Sequence, residues 1–238
     1  MDRLQAELEH HDAQARSRRE HFQVHPEQLH VHAEQYLNHA SWIRPALARL
    51  GDLGDLGDMQ GKHVLDFGCG HGMASVVLAR RGARVTAFDL SGWYVAEARE
   101  RVRANGVEDF VQVVQASGEQ LPFSDQCFDA IWGNAILHHL DLHRAGRELA
   151  RVLRPDGVAV FCEPWGENPL LEWARRRLPY REKARSRDER PLCCGDLQPL
   201  FTHFDEVQCE PQQLFGMVQR VWPGVPLRER IDQLDARL

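Results

Sequence analysis

From Lys62 onward, short runs of apolar and β-branched residues alternate with longer segments whose apolar positions recur every three or four residues. The runs KHVLDF (62–67), ARVTAFD (83–89), FVQVVQ (110–115), FDAIWGN (128–134) and GVAVFCEP (157–164) read as strands. Segments starting near Met73, Ser91, Leu142 and Asn168 read as helices. This alternation predicts parallel strands joined by crossover helices. Near-continuous apolar strands predict a sheet covered on both faces. After Leu197 the pattern predicts a short helix, a strand near Glu206–Glu210 and a last, reversed strand near Leu214–Val221. The expectation is an α/β fold with a seven-stranded, mostly parallel sheet.

Residues 1–60 differ in kind. They are polar, helical in period and hold seven of the thirteen histidines. Pro26 suits the first turn of a helix, along which Leu29, Ala33, Tyr36, Leu37 and Ala40 would share one stripe. The segment reads as an N-terminal helical cap on a main domain of residues 61–238, itself carrying an insertion near 165–196. The run GDLGDLGD, 51–58, has too many glycines for a helix interior and marks the join.

Composition narrows the function. A chain of 238 residues with 43% hydrophobic residues can bury a full core. Its longest uncharged apolar runs, such as Val76–Ala79 and Val158–Cys162, fall far short of the roughly 20 residues of a membrane helix. The N-terminus has no apolar stretch for secretion, so a cytoplasmic protein is expected. A net charge of −6 offers no field for a phosphate backbone, and no nucleic-acid partner is expected. The basic stretch 175–187 contains Glu182 and precedes Asp188 and Glu189, as a solvated helix face would. Six cysteines without CxxC spacing read as reduced thiols.

The sharpest motif is VLDFGCGHG, residues 64–72. A strand carrying Asp66 runs into glycines at 68, 70 and 72, where the absence of a Cβ allows a tight turn and close approach to a ligand. A dinucleotide fingerprint would need a third glycine at position 73, which is methionine. A nicotinamide-dependent oxidoreductase is therefore the weaker alternative. Asp89 ends the second strand, 21 residues beyond Gly68, where a carboxylate can hold both hydroxyls of a ribose or cap the following helix.

These residues resemble the class I S-adenosylmethionine-dependent methyltransferases, from about Lys62 to Pro164. ASGEQLPFSDQCFDAIWGNAILHHL (116–140) and ELARVLRPDGVAVFCEP (148–164) continue the likeness in order, with the family's usual LRPGG altered to LRPDG. The resemblance implies a Rossmann-like fold and S-adenosylmethionine as methyl donor. It puts Asp66, Gly68, Cys69 and Gly70 beside the donor's methionine end, Asp89 and Leu90 at its ribose, and Ser117, Gly118 and Glu119 at its adenine. Asn134 and His139 complete the implied donor contacts. The family often has an acid where Ser117 stands, so the adenine contact would pass to a hydroxyl or a backbone amide. For Cys69 and His139 a packing role is the reading the residues themselves favour.

The acceptor side is expected at the carboxyl ends of the fourth and fifth strands. His138 is similar to a substrate-side histidine of phosphobase methyltransferases, and histidine is a side-chain type suited to act as a base near neutral pH. Glu163 would orient a substrate amine, hold His138 or cap the helix from Asn168, with the two residues on opposite sides of the acceptor. Methyl transfer to a small molecule at oxygen or nitrogen is the function implied, in specialised metabolism, with a protein acceptor as a further alternative. His30 and His32, or His21 and His25, have metal-like spacings, but no cysteine or carboxylate pattern accompanies them and no metal is expected.

Overall fold

The computed structural model describes residues 3–24, 26–40, 42–50, 59–166 and 191–210. Its centre is a sheet of five parallel strands, β1 (His63–Phe67), β2 (Arg84–Asp89), β3 (Val111–Gln115), β4 (Phe128–Asn134) and β5 (Leu153–Cys162), in the order β3-β2-β1-β4-β5. The order reverses direction at β1, so the crevice beyond the carboxyl ends of β1, β2 and β4 is where a ligand site is expected in such sheets.

Alternate residues of each strand feed two cores. Val64, Val85, Ala87, Ala130 and Trp132 pack on one face beneath α4 (Met73–Ala79) and α5 (Gly92–Ala104). Leu65, Phe67, Phe88 and Ile131 pack on the other beneath α6 (Leu142–Val152) and Leu192, Leu197 and Leu200. Burying one such side chain contributes about 1.5–3 kcal/mol. Ser91 and Asp141 cap α5 and α6 through side-chain acceptors, which fixes where each helix starts over the sheet edge. No helix among the described residues is long and apolar enough to cross a membrane. All six cysteines carry free thiols.

Three expectations are corrected. The segment Glu206–Glu210 is not a strand; it runs irregular, with Val207 and Cys209 exposed and no buried face against the described residues. Its last residue instead forms an ion pair with Arg49. The stripe from Leu29 to Ala40 is not one helix. A 3-10 turn, Pro26–Leu29, is followed by a break at His30–His32 and then by α2 (Ala33–Leu37). The break is made by distant groups: the Val31 N–H donates to Asn105 Oδ1 (2.9 Å) and its carbonyl accepts from Arg80 (2.5 Å). Finally, β5 begins at Leu153, directly after α6, rather than at Gly157, and its register against β4 shifts between Leu153 and Val158. The final strand near Leu214–Val221, the helix from Asn168, most of the 165–196 insertion and the glycine-rich join lie outside the described residues.

The N-terminal residues divide by what they bury. Val31, Tyr36, Leu37, Ala40, and Ile43 and Leu47 of α3 (Ile43–Ala48) belong to the same core as β1 and α4. α1 (Arg3–Val24) lies across the start of α5, burying Ala15 and Glu7. Arg101 ties these parts together. Almost fully buried, its guanidinium donates to the carbonyls of His71 (2.7 Å), Gln28 (2.9 Å) and Leu29 (3.1 Å), with Glu97 at 3.6 Å. Arg101→Met should lower stability by about 3–5 kcal/mol, since it removes a buried cation that faces Glu97 and donates to three carbonyls. Urea unfolding measures this, and a loss below about 1 kcal/mol would show that the clamp contributes little. Removing residues 1–24 should leave a cooperative thermal transition, whereas removing 1–40 takes core residues and should abolish it.

Candidate functional site

The glycine loop leaves β1 at the carboxyl edge. Gly68 has φ +72°, and a Cβ there would meet the Ile136 side chain at 2.6 Å, so only glycine fits both the turn and the crossing. Gly70 has φ +50° for a different purpose. A Cβ on it would meet nothing within 4 Å, and this leaves open room above the loop. Asp89 holds the loop in place. Its two oxygens accept from the Gly70 N–H and the Ser91 N–H, each at 2.9 Å. The helix-capping and loop-holding roles thus coincide in one carboxylate.

Asp66 lies fully buried below the loop and accepts from the Ser75 hydroxyl at 2.5 Å. Burial raises its pKa to about 7, against the hydrogen bonds from Ser75, and the nearby Asp89 raises it further. Burial likewise raises Asp89 to about 6, against its backbone hydrogen bonds. Tyr36, from the N-terminal segment, is buried with its hydroxyl near Asp66 and hydrogen-bonded to Trp132. Cys69 is half-buried, and burial keeps its thiol protonated, as a packing residue would be.

At the next strand, Asn134 is exposed at the end of β4. Ala135 takes the left-handed φ of +55°, unusual for a residue with a Cβ, and swings the chain over Gly68. Glu163 secures this crossing. One carboxylate oxygen accepts from the N–H groups of Ile136 (2.8 Å) and Leu137 (2.9 Å), and the other meets His138 Nδ1 at 2.7 Å. His138 and Glu163 are therefore not on opposite sides of a pocket but form one pair, both side chains more than nine-tenths buried. His139 stacks beside His138 at 4.0 Å and turns to α1, where Glu7 lies 3.0 Å from its Nδ1 and the His11 ring 4.9 Å away. His30 and His32 are exposed.

The adenine-side candidates divide. Gly118 presses against the Phe67 ring, where a Cβ would come within 2.6 Å, and Ser117 Oγ accepts from the Glu119 N–H at 3.3 Å. The Glu119 carboxylate is engaged at the start of α6, accepting from the Asp141 N–H at 2.9 Å with Arg144 at 3.8 Å. The carbonyl of Leu90 accepts from Gln115 at 2.9 Å. Trp165 packs against the second core and bridges to Leu192. What sequence reasoning missed is the arrival of Glu7, His11 and Asp12 from α1. Asp12 accepts a short hydrogen bond from Ser91. The i,i+4 spacing of Glu7 and His11 is the signal that puts both on one helix face.

A family model for the methyltransferase domain matches residues 65–161. The 27-O-demethylrifamycin SV methyltransferase of Amycolatopsis mediterranei is 34% identical over 198 residues, covering 79% of this chain and 71% of that protein. The chain belongs to the class I S-adenosylmethionine-dependent methyltransferases. The glycine/sarcosine/dimethylglycine N-methyltransferase of Actinopolyspora halophila is 40% identical over 103 residues, or 42% of this chain and 18% of that protein. A solved structure, the YcgJ protein from Bacillus subtilis, overlaps 49% of this chain and 50% of its own at 31% identity and a TM-score of 0.45. The chain spans between 18% and 38% of the length of the first three curated relatives.

The site fits the methyl donor of this methyltransferase family. The room above Gly70 accommodates a ligand against bare backbone, and Asp89 at the edge retains lone pairs for hydroxyls beside the two it already commits. The raised carboxyls also make stability depend on pH. The folded chain holds protons that the unfolded chain releases above its carboxylate pKa of about 3.9. The contribution of Asp66 is therefore greatest near pH 4 and falls as pH rises toward 7. The stability of the wild type relative to Asp66→Asn should decline over that interval in denaturant titrations. A difference that grows instead would place the Asp66 pKa below its ordinary value.

Proposed function

We propose that the chain transfers a methyl group from S-adenosylmethionine to a small-molecule acceptor at oxygen or nitrogen, with His138 as the base. The observation that carries this reading is the contact of 2.7 Å between His138 Nδ1 and Glu163, one strand over from the glycine loop. When bound, S-adenosylmethionine supplies a methyl group activated by its sulfonium charge. Gly68 and Gly70 shape the wall against which it rests, and Asp89 holds its ribose.

The chain's remaining task is to align the acceptor and take its proton. A Glu163 carboxylate accepting from Nδ1–H fixes the neutral imidazole in the tautomer whose basic nitrogen is Nε2. It also stabilises the imidazolium formed once the proton has moved, as an aspartate does for the histidine of a hydrolytic triad. The two backbone N–H groups that donate to the same carboxylate hold it in position. Burial of both side chains limits competing water. Two of the relatives, a 27-O-demethylrifamycin SV methyltransferase and a glycine/sarcosine/dimethylglycine N-methyltransferase, support a small acceptor at oxygen or nitrogen. A cytoplasmic location and action without nucleic acid are part of the same proposal.

Calorimetry should show binding of S-adenosylhomocysteine and none of NAD, and Asp89→Ala should weaken the former by about 1–3 kcal/mol through lost hydrogen bonds. Unchanged affinity would place the ribose elsewhere. With a turned-over acceptor in hand, His138→Ala should lower kcat by roughly 10² to 10⁴ with little change in S-adenosylhomocysteine affinity. Glu163→Gln should lower kcat in the same direction. If both variants keep normal rates and only melt earlier, the pair is structural and transfer proceeds by alignment alone.

A further inference from the structure

Beside the proposed base, one cluster among the described residues has the chemistry of a metal site, and it gives His139 a role other than the donor contact the family resemblance implies. Glu7 and His11, one helical turn apart on α1, meet His139 from the turn after β4. The carboxylate oxygen of Glu7 lies 3.5 Å from His11 Nε2 and 3.0 Å from His139 Nδ1, and one donor atom from each of the three falls within 4.8 Å of the others. We propose that Glu7, His11 and His139 bind a divalent ion of the zinc class, which clasps α1 to the carboxyl edge beside His138.

Geometry supports the ion. A tetrahedral zinc with ligand bonds near 2.0–2.1 Å holds its ligand atoms about 3.4 Å apart, and the two separations from Glu7 bracket that value. The donor set is two imidazoles and one carboxylate, the combination of three-ligand zinc sites that keep a further position for water or substrate. Magnesium and calcium are disfavoured, because they prefer all-oxygen shells. Glu7 is 7% exposed, so the three donor atoms converge largely out of bulk water.

The site would couple the metal to the cover over the proposed base. His139 stacks on His138 at 4.0 Å, and Asp12, next to His11, holds Ser91 at the start of α5. Loading the ion would therefore fix α1 over both the β2 and β4 ends of the edge.

The full chain, stripped with a chelator, is titrated with cobalt(II) and followed in the visible spectrum. The expected result is one equivalent bound with the d–d bands of a nitrogen and oxygen site, no thiolate charge-transfer band, and displacement by zinc. Glu7→Gln, His11→Ala and His139→Ala should each weaken binding by more than the roughly 10- to 100-fold that even outer-shell partners are worth. Zinc should raise the Tm of the wild type and leave that of the variants unchanged. S-adenosylhomocysteine binding in the same samples reports the donor site separately. The proposal is overturned if the wild type takes up no cobalt at one equivalent, if a thiolate band shows that cysteines hold the ion, or if Glu7→Gln and His11→Ala both bind as the wild type does.

Discussion

The clasp between Asp89 and the Gly70 N–H is the contact on which the rest of the site depends. Five parallel strands bring the ends of β1, β2 and β4 to one edge, but the chain leaving each strand has several ways to turn. Gly68 accepts the crossing of Ile136, Gly70 leaves room above, and Asp89 fixes the loop between them by joining β2 to the turn after β1. Its other oxygen starts α5 through Ser91. One buried carboxylate thereby sets the loop and the next helix, and in the proposed function it also offers the edge that holds the donor's ribose.

A second carboxylate does the same at the ends of β4 and β5. Glu163 leaves β5 and gathers Ile136, Leu137 and His138, so the left-handed turn at Ala135 is held against its strain. The two devices meet where Ile136 crosses Gly68. A change in either loop is thus felt by the other through direct packing rather than through a distant route. Arg101 extends the connection outward, because its hydrogen bonds span the glycine loop at His71 and the N-terminal chain at Gln28 and Leu29.

The parts legible in the sequence are those with local causes. Apolar runs marked all five described strands, and Ser91 and Leu142 marked helix starts that the structure keeps, because strand burial and side-chain capping act within a few residues. The glycine spacing and Asp89 were legible for the same reason. What failed was set by distant partners. Val31 leaves the helical stripe because Asn105 and Arg80 claim its backbone groups, and Glu206–Glu210 has strand-like alternation but no buried face against the described residues. The pairing of His138 with Glu163 spans 25 residues and two strands, so spacing alone could place both at the edge but not in contact. The placement of α1 had no apolar stripe to announce it; it docks through Glu7, His11, Asp12 and Ala15.

Hydrogen–deuterium exchange with and without S-adenosylhomocysteine reads the glycine loop itself. On addition of the ligand, exchange should slow in peptides covering 66–75 and 85–92, with lesser slowing in α1, and NAD should cause no such change. Protection confined to other segments, or bound ligand with the 66–75 and 85–92 peptides unchanged, would contradict it.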